Sequence, residues 1–164
     1  MSSFAPTEQR LAVTCRRCPA FPREPALVVR LVKHLHKRVH DEANAVLKPW
    51  GISHPEYNIL MMMYGTDGYT LNPSQLADAA GEKLANITRL TNQLCEKGLI
   101  ERAASDEDRR KVTLTLSKAG RAMIAGFMPA ICDLLERQAS GLKPGEMAQL
   151  EKLLKKFLHG LCEG

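Results

Sequence analysis

Residues 72–98 read NPSQLADAAGEKLANITRLTNQLCEKG, and the spacing within this stretch decides the fold. Asn72, with Pro73 next and Gln75 three residues on, is a capping box with proline in the first turn, so a helix starts there. Leu76, Ala77 and Ala80 supply its apolar face and Gly81 stops it. A second helix follows almost at once. Leu84, Ile87, Leu90, Leu94 and Cys95 recur at spacings of three and four and are expected to face inward, which leaves Asn86, Arg89, Asn92 and Gln93 outside. Lys97 and Gly98 close it, a cation favoured by the helix dipole followed by a C-terminal glycine. Two helices joined by a tight turn containing glycine make a helix-turn-helix.

Downstream, residues 99–116 read LIERAASDEDRRKVTLTL. Leu99 to Arg102 is a short strand, Ala104 to Arg110 is polar and charged, and Val112, Leu114 and Leu116 alternate with Thr113 and Thr115 as a second strand. That pattern predicts a β-wing. Ser117 then caps a helix running to about Ser140 and bent at Pro129, and Pro144 opens a last amphipathic helix ending near Leu161.

Upstream, Ser53, Pro55 and Glu56 repeat the capping-box signal and open a helix through Tyr64. Leu27, Val28, Leu31, Leu35, Val39, Ala43, Val46 and Leu47 recur as the face of a long helix from Ala26, which Pro49 and Gly51 stop. Pro6, Pro19, Pro22 and Pro25 break up residues 1–25, leaving an arm with one short turn around Thr7 to Val13. The expected architecture is mainly α with a small β-wing. It comprises an N-terminal arm (1–25), a helical dimerisation region (26–52 and 117–164) and a winged helix-turn-helix lobe (53–116).

A chain of 164 residues, 45% of them hydrophobic and 25% charged, suits one ordinary domain with its own core. No apolar stretch approaches the ~18–20 residues that cross a bilayer, and the N-terminus has no secretion-signal pattern, so a cytoplasmic protein is expected. The five cysteines form no framework, as reduced thiols would not. The net charge of +5 is unevenly spread: residues 1–48 carry nine cations against four acids, and 49–81 carry no cation and three acids. Any nucleic-acid contact by the middle of the chain therefore rests on individually placed cations rather than on bulk charge.

The runs Leu99-Ile100-Glu101-Arg102, Asp106-Glu107-Asp108-Arg109-Arg110-Lys111 and Leu114-Thr115-Leu116-Ser117-Lys118-Ala119-Gly120, in that order and spacing, resemble the MarR family of bacterial transcription regulators. Ile87-Thr88-Arg89 and Leu94-Cys95-Glu96-Lys97-Gly98 look like its recognition helix. Phe4 to Gln9, Arg30-Leu31 and His34 extend the likeness to the family's multidrug-efflux repressors. The resemblance implies a homodimer joined by the terminal helices, two winged lobes on double-stranded operator DNA, and release by small aromatic ligands.

The residues carry a chemistry of their own. Arg109 and Arg110 lie on a short loop between strands, where a guanidinium enters the electronegative minor groove of A·T-rich DNA, and Lys111 adds a third cation. The family pattern suggests that Asp108 orients Arg110 by a salt bridge. On the recognition helix, Arg89 suits guanine, Asn86, Asn92 and Gln93 suit adenine or phosphate, and Thr88 and Lys83 suit phosphate. The alternatives are a solvated loop, an ordinary exposed helix face, or an Arg89 held by an acid inside the lobe.

For a small aromatic carboxylate, phenol or drug-like effector, Arg30 and His34, one turn apart, suit the acid, with Tyr57, Met61 and Met62 lining the second helix or simply filling core. His36 and His40 have the spacing that shares a metal, with Asp41 and Glu42 close by, but no compact cysteine and histidine signature completes a site. Cys15-Arg16-Arg17-Cys18 is a CxxC whose arginines would lower a thiol pKa. A thiol- or metal-sensing regulator of the same fold, or a winged-helix protein-interaction module, are thus the competing readings. No nucleophile elbow, phosphate loop or paired-acid motif is present, so neither enzymatic activity nor a cofactor is expected.

Overall fold

The computed structural model describes residues 4–104 and 112–162. The chain divides into two compact units, Met1–Ala45 and Val46–Gly164.

The first unit contains helix α1 (Ala5–Arg17) and most of helix α2 (Arg23–Leu47). The sequence predicts only a short turn before residue 25, yet α1 is 13 residues long. Its prolines bracket the helix instead of interrupting it. Pro6 sits in the first turn, where a missing N–H costs nothing, and Pro19 and Pro22 lie beyond the end. Arg16 and Arg17 in the last turn complement the dipole, and the Cys18 N–H closes on Thr14 O at 2.8 Å. α2 likewise begins three residues earlier than the apolar pattern suggests, with Pro25 in its first turn, where no intrahelical N–H bond is required. Val28, Val32, Leu35 and Val39 lie exposed at four-three-four spacing on one face of α2. The same helix carries the i,i+4 ion pairs Lys37–Asp41 and Arg38–Glu42.

In the second unit, a 3-10 turn at Lys48–Trp50 leads to α3 (His54–Tyr64), β1 (Thr70–Leu71), α4 (Pro73–Ala80) and α5 (Leu84–Glu96). The antiparallel hairpin β2 (Ile100–Ala104) and β3 (Val112–Leu116) follows, then α6 (Lys118–Ala139) and α7 (Pro144–Cys162). Both capping boxes form as read. Glu56 N donates to Ser53 Oγ while Ser53 N donates to Glu56 Oε2, and Gln75 N donates to Asn72 Oδ1 while Asn72 N donates to Gln75 Oε1. The hairpin pairs Ile100 with Leu116 and Ala104 with Val112.

β1 is an addition to the expected wing. It pairs Thr70 with Thr115 and Leu71 with Leu114, making β3 the centre of a three-stranded sheet, and the Thr70 and Thr115 hydroxyls lie 3.1 Å apart. Two residues show no period, so only their distant partner identifies them as a strand.

Ile59, Leu60 and Met63 of α3, Leu76 of α4, Ile87, Leu90 and Leu94 of α5, Leu114 and Leu116 of β3, and Ile124 and Phe127 of α6 form the core of this unit, all fully or nearly fully buried. Truncating any of the leucines to alanine would cost about 2–5 kcal/mol. Leu84 departs from its expected inward face and is 51% exposed, because it starts α5 and stands a turn before the packed residues. α6 runs on through Pro129, and its N-terminus packs closely on the wing base: Ser117 Oγ accepts from Gly120 N at 2.9 Å and donates to Gly98 O at 2.7 Å. A Cβ at Gly120 would lie 2.2 Å from Leu99 O, so only glycine fits there. α7 shows the seam Met147, Leu150, Leu154, Phe157 and Leu161; of these only Phe157 is half-buried and the rest are exposed.

Candidate nucleic-acid interface

α4 ends in a left-handed residue, Gly81, with φ of 62°. The Glu82 N–H then bonds back to Ala77 O at 3.0 Å, which reverses the chain within two residues and starts α5. Lys83 is the exposed N-cap, and its carbonyl accepts from Asn86 N and Ile87 N. The buried stripe Ile87, Leu90, Thr91 and Leu94 seats α5 in the core, so the opposite face has to point outward.

That face carries a continuous string of side-chain hydrogen bonds. Asn86 Nδ2 donates to Glu82 Oε2 at 2.9 Å, Arg89 Nη2 donates to Asn86 Oδ1 at 2.9 Å, and Arg89 Nη1 donates to Gln93 Oε1 at 3.0 Å. Arg89 is thus held by two amides on the exposed face, and among the described residues no acid within the lobe pairs with it. Thr88 Oγ1 donates back to Leu84 O at 2.9 Å. Asn92 accepts at 2.9 Å from Arg102 Nη2, which also lies 3.4 Å from Thr91 Oγ1. Arg102, an exposed residue of β2, escapes the sequence reading because nothing in the chain's spacing shows that a strand residue reaches back ten positions to the helix. The wing residues Asp108, Arg109, Arg110 and Lys111 lie outside the described residues.

The C-terminus of α5 is fastened as firmly. Lys97 Nζ donates to Glu56 Oε1 at 2.6 Å and to Gly51 O at 2.9 Å, and Glu56 Oε2 accepts from Ser53 N and Ser53 Oγ. Burial by itself would push the Glu56 carboxyl up, but Lys97 and the two Ser53 donors outweigh it and hold the group below the usual carboxylate range. Glu56 is legible in the sequence as a cap; its second role as counter-ion to Lys97 is not.

The effector candidates fall in different units. In the first, His34 is half-buried with its ring edge-on to Phe4 at 5.5 Å, and Arg30 is half-buried one turn before it. In the second, the half-buried Tyr57 ring stacks on His54 at 5.8 Å and meets Phe127 edge-on at 5.6 Å, and Phe127 in turn meets Trp50 at 6.3 Å. Burial, with a smaller contribution from Cys132, pushes the Tyr57 hydroxyl up. Met61 and Met62 are half-buried, in contrast to Met63, which is fully buried. His36 and His40 stack at 6.3 Å, and among the described residues no group of three or more His, Cys, Asp or Glu side chains is placed to hold a metal ion. Cys15 is half-buried and Cys18 exposed.

Comparison with known proteins agrees with this geometry. The MarR family model matches residues 52–112, the span from the start of α3 to the wing. The chain is 32% identical over 160 residues to the transcriptional repressor MprA of Escherichia coli strain K12, covering 98% of this chain and 91% of that protein. The chain belongs to the MarR family. It is a transcription regulator of that family and not an enzyme. Its structure resembles that of a mutant MarR from E. coli complexed with operator DNA, at a TM-score of 0.75 and 26% identity over 80% of this chain and 93% of that one. It shares the fold of AbsC, a MarR family transcriptional regulator from Streptomyces coelicolor, at a TM-score of 0.79 and 20% identity over 88% of this chain and 97% of that one. The winged helix-turn-helix is therefore the family's own, and no described helix is long and apolar enough to cross a membrane.

Proposed function

We propose that this MarR-family chain is a cytoplasmic homodimeric repressor that binds palindromic operator DNA and is released by a small aromatic carboxylate, phenol or drug-like molecule. The observation that carries the DNA reading is the exposed polar face of α5, with Lys83 at its N-cap and Arg89 braced between Asn86 and Gln93, immediately ahead of the β2–β3 hairpin. A helix of that kind enters the major groove, and the wing cations Arg109, Arg110 and Lys111 are assigned to the minor groove, with Asp108 orienting Arg110. The likeness to a MarR solved on operator DNA supports this assignment.

Dimerisation is supported by the seams on α2 and α7, whose apolar residues are too many to leave in water on a chain this size. Two-fold symmetry then explains a palindromic operator with half-sites about one helical turn apart. Of the effector candidates, Arg30 and His34 in the first unit have the chemistry for an anion, and Tyr57, Met61 and Met62 in the second unit have that for an aromatic ring. Such a ligand must bind the DNA-incompetent dimer more tightly than the competent one, and about 1.4 kcal/mol of difference changes DNA affinity only tenfold.

The experiment is a binding titration on the duplex upstream of the protein's own coding region, at several salt concentrations, with and without salicylate as probe. Binding is expected to weaken steeply with salt and to weaken further with the probe. Arg110→Ala should reduce the salt slope by about one unit. Replacing both Cys15 and Cys18 with serine should leave the probe's effect intact, while Arg30→Ala or His34→Ala should blunt it. DNA release by peroxide alone, abolished by the double cysteine change, would make the chain a thiol sensor instead.

A further inference from the structure

α5 presents three amide side chains outward, and the carbonyl of each is already engaged. Asn86 Oδ1 and Gln93 Oε1 both accept from Arg89, at 2.9 and 3.0 Å, and Asn92 Oδ1 accepts from Arg102 at 2.9 Å. The chemistry fixes which way these amides point. A guanidinium has only donors, so the carbonyl end must face it, and the amino end of Asn86 is in turn given to the Glu82 carboxylate. Reading adenine with Asn or Gln takes both ends of one amide, the carbonyl on N6 and the amino group on N7. Each of the three carbonyls already gives one lone pair to a guanidinium, so each amide is turned to suit that cation rather than a base.

Arg89 is in the opposite position. Among the described residues, two of its five N–H groups are used, one on each terminal nitrogen, which leaves one N–H on each of Nη1 and Nη2 and a third on Nε. Residues three before and four after hold the guanidinium on the exposed face, so less side-chain freedom is lost when it binds. The base edge that offers two acceptors to such a pair of donors is guanine, through O6 and N7.

We propose that Arg89 is the base-reading residue of α5, that it selects a guanine in each operator half-site, and that Asn86 and Gln93 are positioning residues that aim its guanidinium. This inference rests on the DNA-binding reading above. It also gives Asn86 and Gln93 a guanidinium to aim in place of a base to read, and makes Arg102 the residue that ties Asn92 to β2.

The test is selection of the full-length protein on a randomised duplex DNA library, followed by titration of the enriched duplex at several salt concentrations. A guanine should be fixed at one symmetric position in each half-site. Replacing it with 7-deazaguanine, which lacks the N7 acceptor, should weaken binding about tenfold or more. Arg89→Ala should bind the guanine, 7-deazaguanine and adenine duplexes alike. The Asn86→Ala, Gln93→Ala double variant should keep the parent's salt slope while its guanine preference shrinks several-fold, a pattern that loss of fold would not produce; circular dichroism verifies each variant. The proposal is overturned if the 7-deazaguanine effect survives in Arg89→Ala, or if an adenine is enriched whose selection disappears in Asn86→Ala or Gln93→Ala. Failure to bind any duplex at low salt would remove the DNA-binding reading itself, and this inference with it.

Discussion

Lys97 and Glu56 fasten α5 to α3: the ammonium at the C-cap of α5 lies 2.6 Å from a carboxylate in the first turn of α3. The Glu56 side chain is 5% exposed and that of Lys97 38%, so the pair is protected on one side and open on the other. Because Lys97 also holds Gly51 O, the segment that leads into α3 is fastened to the end of α5.

Lys97→Met should therefore destabilise the protein by about 2–4 kcal/mol, since it leaves a buried carboxylate without its cation. Glu56→Gln removes the charge but keeps a cap acceptor, and about 1–2 kcal/mol is expected. Urea denaturation measures both. The double variant should fall short of the sum of the singles, because the two residues share one interaction.

The same pair predicts a pH dependence. Glu56 has its carboxyl held below the ordinary range in the folded state, so its contribution is complete above the unfolded value near 4.5 and is lost as pH falls through the lower folded value. The urea midpoints of the parent and of Glu56→Gln should differ most at neutral pH and converge as pH falls below the ordinary carboxylate range through the lower folded value. A constant difference from neutral to acid pH would mean that Glu56 acts through its shape and cap bonds alone.

Gly120→Ala should be among the most damaging single-methyl additions in the chain. The new Cβ would stand 2.2 Å from Leu99 O and 2.8 Å from Leu116 Cδ1, and the first of these is backbone, which cannot swing aside. A loss of about 3 kcal/mol or more is expected, read as a fall in melting temperature. By contrast, Gly160→Ala, where a Cβ would meet nothing within 4 Å, should leave the isolated chain's stability nearly unchanged or raise it, since alanine is the better helix former.

Sedimentation at micromolar concentration should give twice the chain mass. Leu154→Asp, at an exposed position in the middle of the α7 seam, should shift the equilibrium toward monomer without unfolding the second unit, whose core lies elsewhere. A stable monomer for the parent would remove the basis for two-fold operator binding.

Much of this molecule was legible in one dimension. The capping boxes at Ser53 and Asn72, the glycine stop at Gly81, the inward stripe Ile87, Leu90 and Leu94, and the alternation of β3 are all set by residues within a few positions of one another, so spacing alone identifies them. The number of prolines misleads at α1, where the stretch between Pro6 and Pro19 is uninterrupted, and periodicity misleads at Leu84, which stands at a helix end. What required the tertiary structure were relations between distant residues: Thr70 beside Thr115, Lys97 on Glu56, Leu99 O against Gly120, and Arg102 on Asn92. The roles of the α5 amides belong with these. Composition shows that Asn86, Asn92 and Gln93 have both a donor and an acceptor, but which way each amide is turned depends on where two guanidinium groups come to rest, and that is decided by packing.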